Sequence, residues 1–75
     1  MNPKEIYSII ASVLKISVDD VNDELSVGDI PEWDSLAHMQ LIEAFEEASG
    51  TTLDIEKIIE IEDVQDLLEA FQKSD

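Results

Sequence analysis

The sequence predicts an all-α chain, a small antiparallel four-helix bundle with three main helices, one short helix and a long first loop. Apolar residues recur at three- and four-residue spacings in separate stretches, capping residues stand at the ends of those stretches, and strand signals are weak. Only Thr51-Thr52-Leu53-Asp54-Ile55 reads as extended, and no second stretch pairs with it. At 75 residues the expectation is a single domain, 1–75. A chain of that size buries only about 60% of the surface its unfolded form exposes, so its core is small and its stability modest.

The first helix is predicted from about Pro3 to Lys15. Asn2 can cap it, Pro3 suits the first helical position, and Glu5 completes a box-like Asn-x-x-Glu. Ile6, Ile9, Ile10, Val13 and Leu14 form its apolar face. A long connection, Ser17 to Asp34, carries several aspartates and the breakers Gly28 and Pro31. Val18, Val21, Leu25, Val27 and Ile30 are expected to pin it to the core, with a helical turn near Asp19–Asp23. Loops of that length in compact domains are often functional. The second helix should span about Ser35 to Ser49, capped by Asp34 and ended by Gly50. A short helical piece near Glu56–Glu60 follows, with Ile55, Ile58 and Ile59 expected inward. The last helix starts near Asp63 or Val64 and buries Val64, Leu67, Leu68 and Phe71.

Nineteen acidic residues face four lysines and no arginine, for a net charge of −15. A nucleic-acid backbone needs cationic neutralisation and an anionic membrane surface repels carboxylates, so neither is a suitable partner. The charge favours a basic protein partner, reached by electrostatic steering; the plainer reading is that it keeps a small protein soluble. With no cysteine there is neither a disulfide nor a thiolate zinc site. Met1-Asn2-Pro3-Lys4-Glu5-Ile6 does not resemble a signal peptide, and no stretch approaches the ~20 apolar residues of a membrane span. A cytoplasmic monomer without membrane insertion is expected.

Asp34-Ser35-Leu36 lies where the loop Gly28-Asp29-Ile30-Pro31-Glu32-Trp33 gives way to the second helix. A serine in a first helical turn stands beside backbone N–H groups that lack intrahelical partners, at the positive end of the helix dipole. A phosphate joined to Ser35 meets a favourable field there, which makes Ser35 an attachment point for a phosphate-linked group. With residues about 100° apart, Ala37, Leu41, Ala44, Phe45 and Ala48 face the core, with Ile42 at the edge of that side. The opposite side carries Leu36, Met39, Gln40, Glu43, Glu46 and Glu47. An outward face is normally polar, so Leu36 and Met39 ringed by carboxylates read as a small docking patch; scattered apolar surface residues are the bland alternative.

The remaining candidates have plain readings. His38 is the sole histidine, so it anchors no metal cluster and no nucleophilic triad. It is expected to stack weakly on Trp33 in a staple-like arrangement at the helix entrance, against the alternative of a phosphate or partner contact. Tyr7 reads as a helix-flank residue with a wet hydroxyl. Asp19-Asp20-Val21-Asn22-Asp23-Glu24 lacks the glycine and the spaced glutamate of a calcium loop, and Glu46-Glu47 has no apolar pocket to raise a carboxyl pKa.

Asp34-Ser35-Leu36, the Leu41-x-x-Ala44-Phe45-Glu46-Glu47 continuation and Ile61-Glu62-Asp63-Val64-Gln65-Asp66-Leu67 together resemble the acyl carrier protein family. Helix order, the long first loop and acidity match as well, so the resemblance covers essentially the whole chain. It implies that Ser35 bears 4′-phosphopantetheine through a phosphodiester, installed from coenzyme A by a carrier-protein synthase (a phosphopantetheinyl transferase). The arm's thiol would hold an acyl or aminoacyl group as a thioester, so a carrier needs no cysteine of its own. Asp34 would position the serine. Leu36, Met39, Gln40, Glu43, Glu46 and Glu47 would meet basic patches on acyl-loading and acyl-using enzymes of fatty acid or polyketide biosynthesis, and Ile61 would contact the arm or a partner.

Trp33 stands where fatty-acid carriers usually have a small residue, Ala37 and Gln40 where acids are frequent, and Glu43 where an apolar residue is usual. Trp33 is more reminiscent of carriers dedicated to specialised pathways. The competing reading is an acidic interaction module without a cofactor, with Ser35 only a cap-adjacent serine or a phosphorylation site. An enzyme is not expected, since no set of nucleophile, base and orienting group is present.

Overall fold

The computed structural model describes residues 2–71. Four helices follow in order: α1 (Pro3–Leu14), α2 (Ser35–Ser49), α3 (Ile55–Glu60) and α4 (Val64–Phe71); among the described residues there is no strand. This is the expected all-α bundle.

Helix α1 starts as the sequence dictates. The Asn2 side chain accepts the Glu5 N–H at 2.9 Å, and Glu5 Oε1 accepts the Asn2 N–H at 3.1 Å, a complete capping box. It stops one residue earlier than expected, because Lys15 turns left-handed at φ 61° and the Ile16 N–H reaches back to the Ala11 carbonyl at 3.0 Å. Ile6, Ile10, Ala11 and Leu14 are buried, and Ile9 and Val13 pack half-buried beside them.

A short 3-10 turn, Val18–Asp20, opens the long connection, with Ser17 capping it through the Asp19 N–H. Val21, extended after the turn, is buried, whereas Val18 and Val27 remain 47% and 36% exposed, against the expectation that both pin the loop. Leu25 and Ile30 pack half-buried against the core as expected, and backbone hydrogen bonds hold the loop as well. Leu25 and Asp23 carbonyls accept the Val64 and Gln65 N–H groups at 2.9 and 3.2 Å, and the Val27 N–H donates to the Glu62 carbonyl at 2.9 Å. The first two bonds occupy donors at the start of α4 that have no partner inside the helix. Tyr7 lies on the helix flank with its hydroxyl in an exposed setting, as expected, and adds a side-chain tie by donating to Asp23 Oδ1.

Helix α2 has the predicted bounds, but its buried stripe is Ala37, Leu41, Ile42 and Phe45. The helix is rotated toward the Ile42 side relative to expectation: Ile42 is 1% exposed, while Ala48 faces outward and Ala44 is half-buried. Helix α3 departs further, since Ile55 and Ile59 are 64% and 69% exposed rather than inward. They are four residues apart and share a face, and the inward face belongs to Ile58, followed by Ile61 just past the helix end. Val64, Leu67, Leu68 and Phe71 of α4 are buried as expected, and Phe71 stacks on Phe45 with ring centroids 5.0 Å apart. No helix among the described residues is long and apolar enough to cross a membrane.

Candidate functional site

The approach to α2 is a closed ring of backbone. The Gly28 N–H donates to the Trp33 carbonyl at 2.9 Å, the Trp33 N–H donates to the Ile30 carbonyl at 3.1 Å, and the Asp29 N–H donates to the Ser26 carbonyl at 3.0 Å. Asp29 Oδ2 returns to the Ser26 N–H at 2.9 Å. Gly28 takes φ +89°, which a side chain would strain even though nothing crowds the position. The ring delivers Trp33 into the core, with no exposed surface, and sets Asp34 just outside the helix.

Asp34 is extended at φ −103°, ψ −173°, and its Oδ1 accepts the Ala37 N–H at 2.9 Å while its carbonyl accepts the His38 N–H at 2.9 Å. Its carboxylate is therefore occupied as the helix cap. Ser35, at the first helical position, is exposed, and its hydroxyl has no hydrogen-bond partner among the described residues. The Ser35 and Leu36 N–H groups have none either. A free hydroxyl thus stands beside two free backbone donors, at the positive end of a helix of 15 residues.

Trp33 and His38 flank this point from below. They hold the positions just before the cap and four residues into the helix, the two ends of a hydrophobic staple. Their rings stack at 6.0 Å between centroids and 25° between planes. They are also hydrogen-bonded, the Trp33 indole Nε1–H donating to His38 Nδ1 at 3.1 Å. Staple spacing is legible in the sequence; the hydrogen bond is not, because it depends on how far the buried indole tilts.

The outer face of α2 is largely as expected. Leu36 is 69% and Met39 42% exposed, and Gln40, Glu43 and Glu47 are exposed around them. Glu46 is different: half-buried by the rotation of the helix, it accepts the Leu53 N–H at 2.8 Å and ties down the segment leading to α3. Ile61, expected to touch the arm or a partner, is only 6% exposed and belongs to the core. The exposed apolar residues of that region are Ile55 and Ile59, which the sequence pattern had assigned inward.

A family model described as phosphopantetheine attachment site matches residues 4–71. No curated protein matches the chain.

Proposed function

The chain belongs to the acyl carrier protein family, whose members carry covalent 4′-phosphopantetheine and are not themselves catalysts, and we propose that Ser35 is the residue that carries it. The observation behind this reading is the exposed Ser35 hydroxyl, without a partner among the described residues, at the first position of α2. The residues present fit the group. A phosphodiester on Ser35 brings one negative charge to a helix start with two unengaged N–H donors, a field that stabilises an anion there. Asp34 does not compete for those donors, because its own carboxylate is on the Ala37 N–H.

When bound, the group supplies a terminal thiol that holds cargo as a thioester. Everything else is done by the chain. Asp34 stops the helix at the serine and holds the Oγ outward for a transferase. The Gly28–Trp33 ring keeps that junction in place from one side and the buried Trp33 anchors it from beneath. Leu36 and Met39, with Gln40, Glu43 and Glu47 around them, form the face that basic patches on the transferase and on acyl-handling enzymes meet. Glu46 contributes charge there while bracing Leu53, and Ile61 supports α3 from within rather than touching a partner. Docking by such a face is steered by charge and weakened by salt. Tethering then raises the effective concentration of cargo at each docked active site. We take the cargo to be acyl or aminoacyl intermediates, and Trp33, Gln40 and Glu43 to favour a dedicated pathway over housekeeping fatty-acid synthesis. Residues 1–75 act as one carrier domain.

Incubation with coenzyme A and a broad-specificity transferase tests the assignment. The expected intact mass rises by one phosphopantetheine, and Ser35→Ala gains nothing while keeping its helical circular dichroism. A well-folded wild-type chain that gains no mass contradicts the assignment and returns the cofactor-free interaction module to first place.

A further inference from the structure

The Trp33–His38 pair fixes more than the helix entrance. An indole N–H can only donate, so His38 Nδ1, 3.1 Å from it, must present a lone pair. The N–H of the ring is then on Nε2. Trp33 has no exposed surface and stacks on the imidazole, so neither ring is free to turn away. His38 itself is half-buried, and its Nε2–H has no partner among the described residues.

His38 lies three residues after Ser35, and i, i+3 residues are neighbours on a helix surface, with about 5–6 Å between Cβ atoms. Helical side chains lean toward the N-terminus, which carries the imidazole over the turn that holds Ser35. The spacing puts a donor that has no partner among the described residues on the same stretch of helix surface as the attachment residue. Resting on the assignment of Ser35, we propose that His38 is a positioning residue for the prosthetic group, its Nε2–H donating to a non-bridging oxygen of the phosphodiester. Trp33 acts through His38 by holding the tautomer. This contact limits rotation of the phosphodiester about the Ser35 side chain, so cargo leaves the helix start from fewer directions.

A purely structural His38, present only to accept the buried indole N–H, makes a different prediction. It leaves the phosphate insensitive to the imidazole. Nitrogen and phosphorus NMR of the full chain, before and after loading by a transferase, separates the two. The expected spectra show Nδ1 unprotonated and Nε2 protonated in both forms, with the Nε2–H signal moving on loading. The phosphodiester phosphorus signal should move in loaded His38→Ala and return toward the wild-type position in His38→Gln, whose amide can both accept from Trp33 and donate outward. An Nδ1-protonated ring, an Nε2–H signal unchanged by loading, or a phosphorus signal indifferent to His38→Ala overturns the proposal. The wild-type comparison stands alone even if His38→Ala does not fold. Intact mass, read on the same sample, reports loading separately: a loaded chain with unresponsive His38 defeats this inference alone, while a folded chain that takes no mass defeats the Ser35 assignment and this with it.

Discussion

Asp34 and Ser35 divide the start of α2 between them: the aspartate carboxylate closes on the Ala37 N–H, and the serine hydroxyl is left to solvent. The division follows from what each side chain can reach from its backbone position, and it is why the residue types at this junction were readable in advance. Tyr7 was not readable in the same way. Its hydrogen bond to Asp23, 16 residues on, depends on where the loop settles. That hydrogen bond, then burial, then the Asp23 charge all push the Tyr7 hydroxyl above the ordinary value of 10.0. A pKa raised in the folded state means that the stabilisation is complete below the unfolded value and disappears as pH climbs through the folded one. The advantage of the wild type over Tyr7→Phe in urea denaturation should therefore be constant up to about pH 10 and shrink above it. Since Tyr7 is the only tyrosine, an ultraviolet titration of the native chain reads it directly, with a midpoint expected above that of the urea-unfolded chain. Coincident midpoints would contradict the Asp23 contact.

At the scale of the elements, helix identity was legible because caps and periodicity are local. Asn2, Asp34 and Gly50 mark ends that the structure places within a residue of expectation. Which way a helix faces is not local. α2 turns toward Ile42, the side on which half-buried Glu46 accepts the Leu53 N–H, and Ala48 is left exposed. α3 has only six residues, too few for a stable periodic signal, and its isoleucines were assigned inward by hydrophobicity alone. Of the residues expected to pin the loop, Val21, Leu25 and Ile30 do so, while Val18 and Val27 stay exposed and backbone bonds to the start of α4, which no side-chain pattern announces, add the rest of the hold. Leu36 tests the role of α2. At 69% exposed it contributes little to the core, so Leu36→Ala should change unfolding free energy by less than about 0.5 kcal/mol. If the outer face docks partners, the same change should weaken transferase binding at least about fivefold, the equivalent of about 1 kcal/mol. Unaltered binding removes Leu36 from the docking face; a large loss of stability would show that it packs.

Over the whole molecule, the net charge of −15 is carried on a body 30 × 24 × 19 Å. No ion pair among the described residues offsets it. At physiological ionic strength the screening length is about 8 Å, so charges on opposite sides are largely screened and neighbouring carboxylates are not. Added salt or magnesium should therefore raise the melting temperature by relieving that near-neighbour repulsion, while the same salt weakens docking to a basic partner. A melting temperature indifferent to ionic strength contradicts the first effect. The opposite signs distinguish self-repulsion from partner attraction in one titration series. Both effects matter only if the chain carries its prosthetic group at the place from which the acidic face can present it. The chain contains seven serines, Ser8, Ser12, Ser17, Ser26, Ser35, Ser49 and Ser74, and only one of them stands at the start of α2. Tandem mass spectrometry of the transferase-loaded, proteolysed chain should put the phosphopantetheine on the peptide containing Ser35 and on no other; finding it on a different serine, with Ser35 unmodified, would contradict the account at its centre.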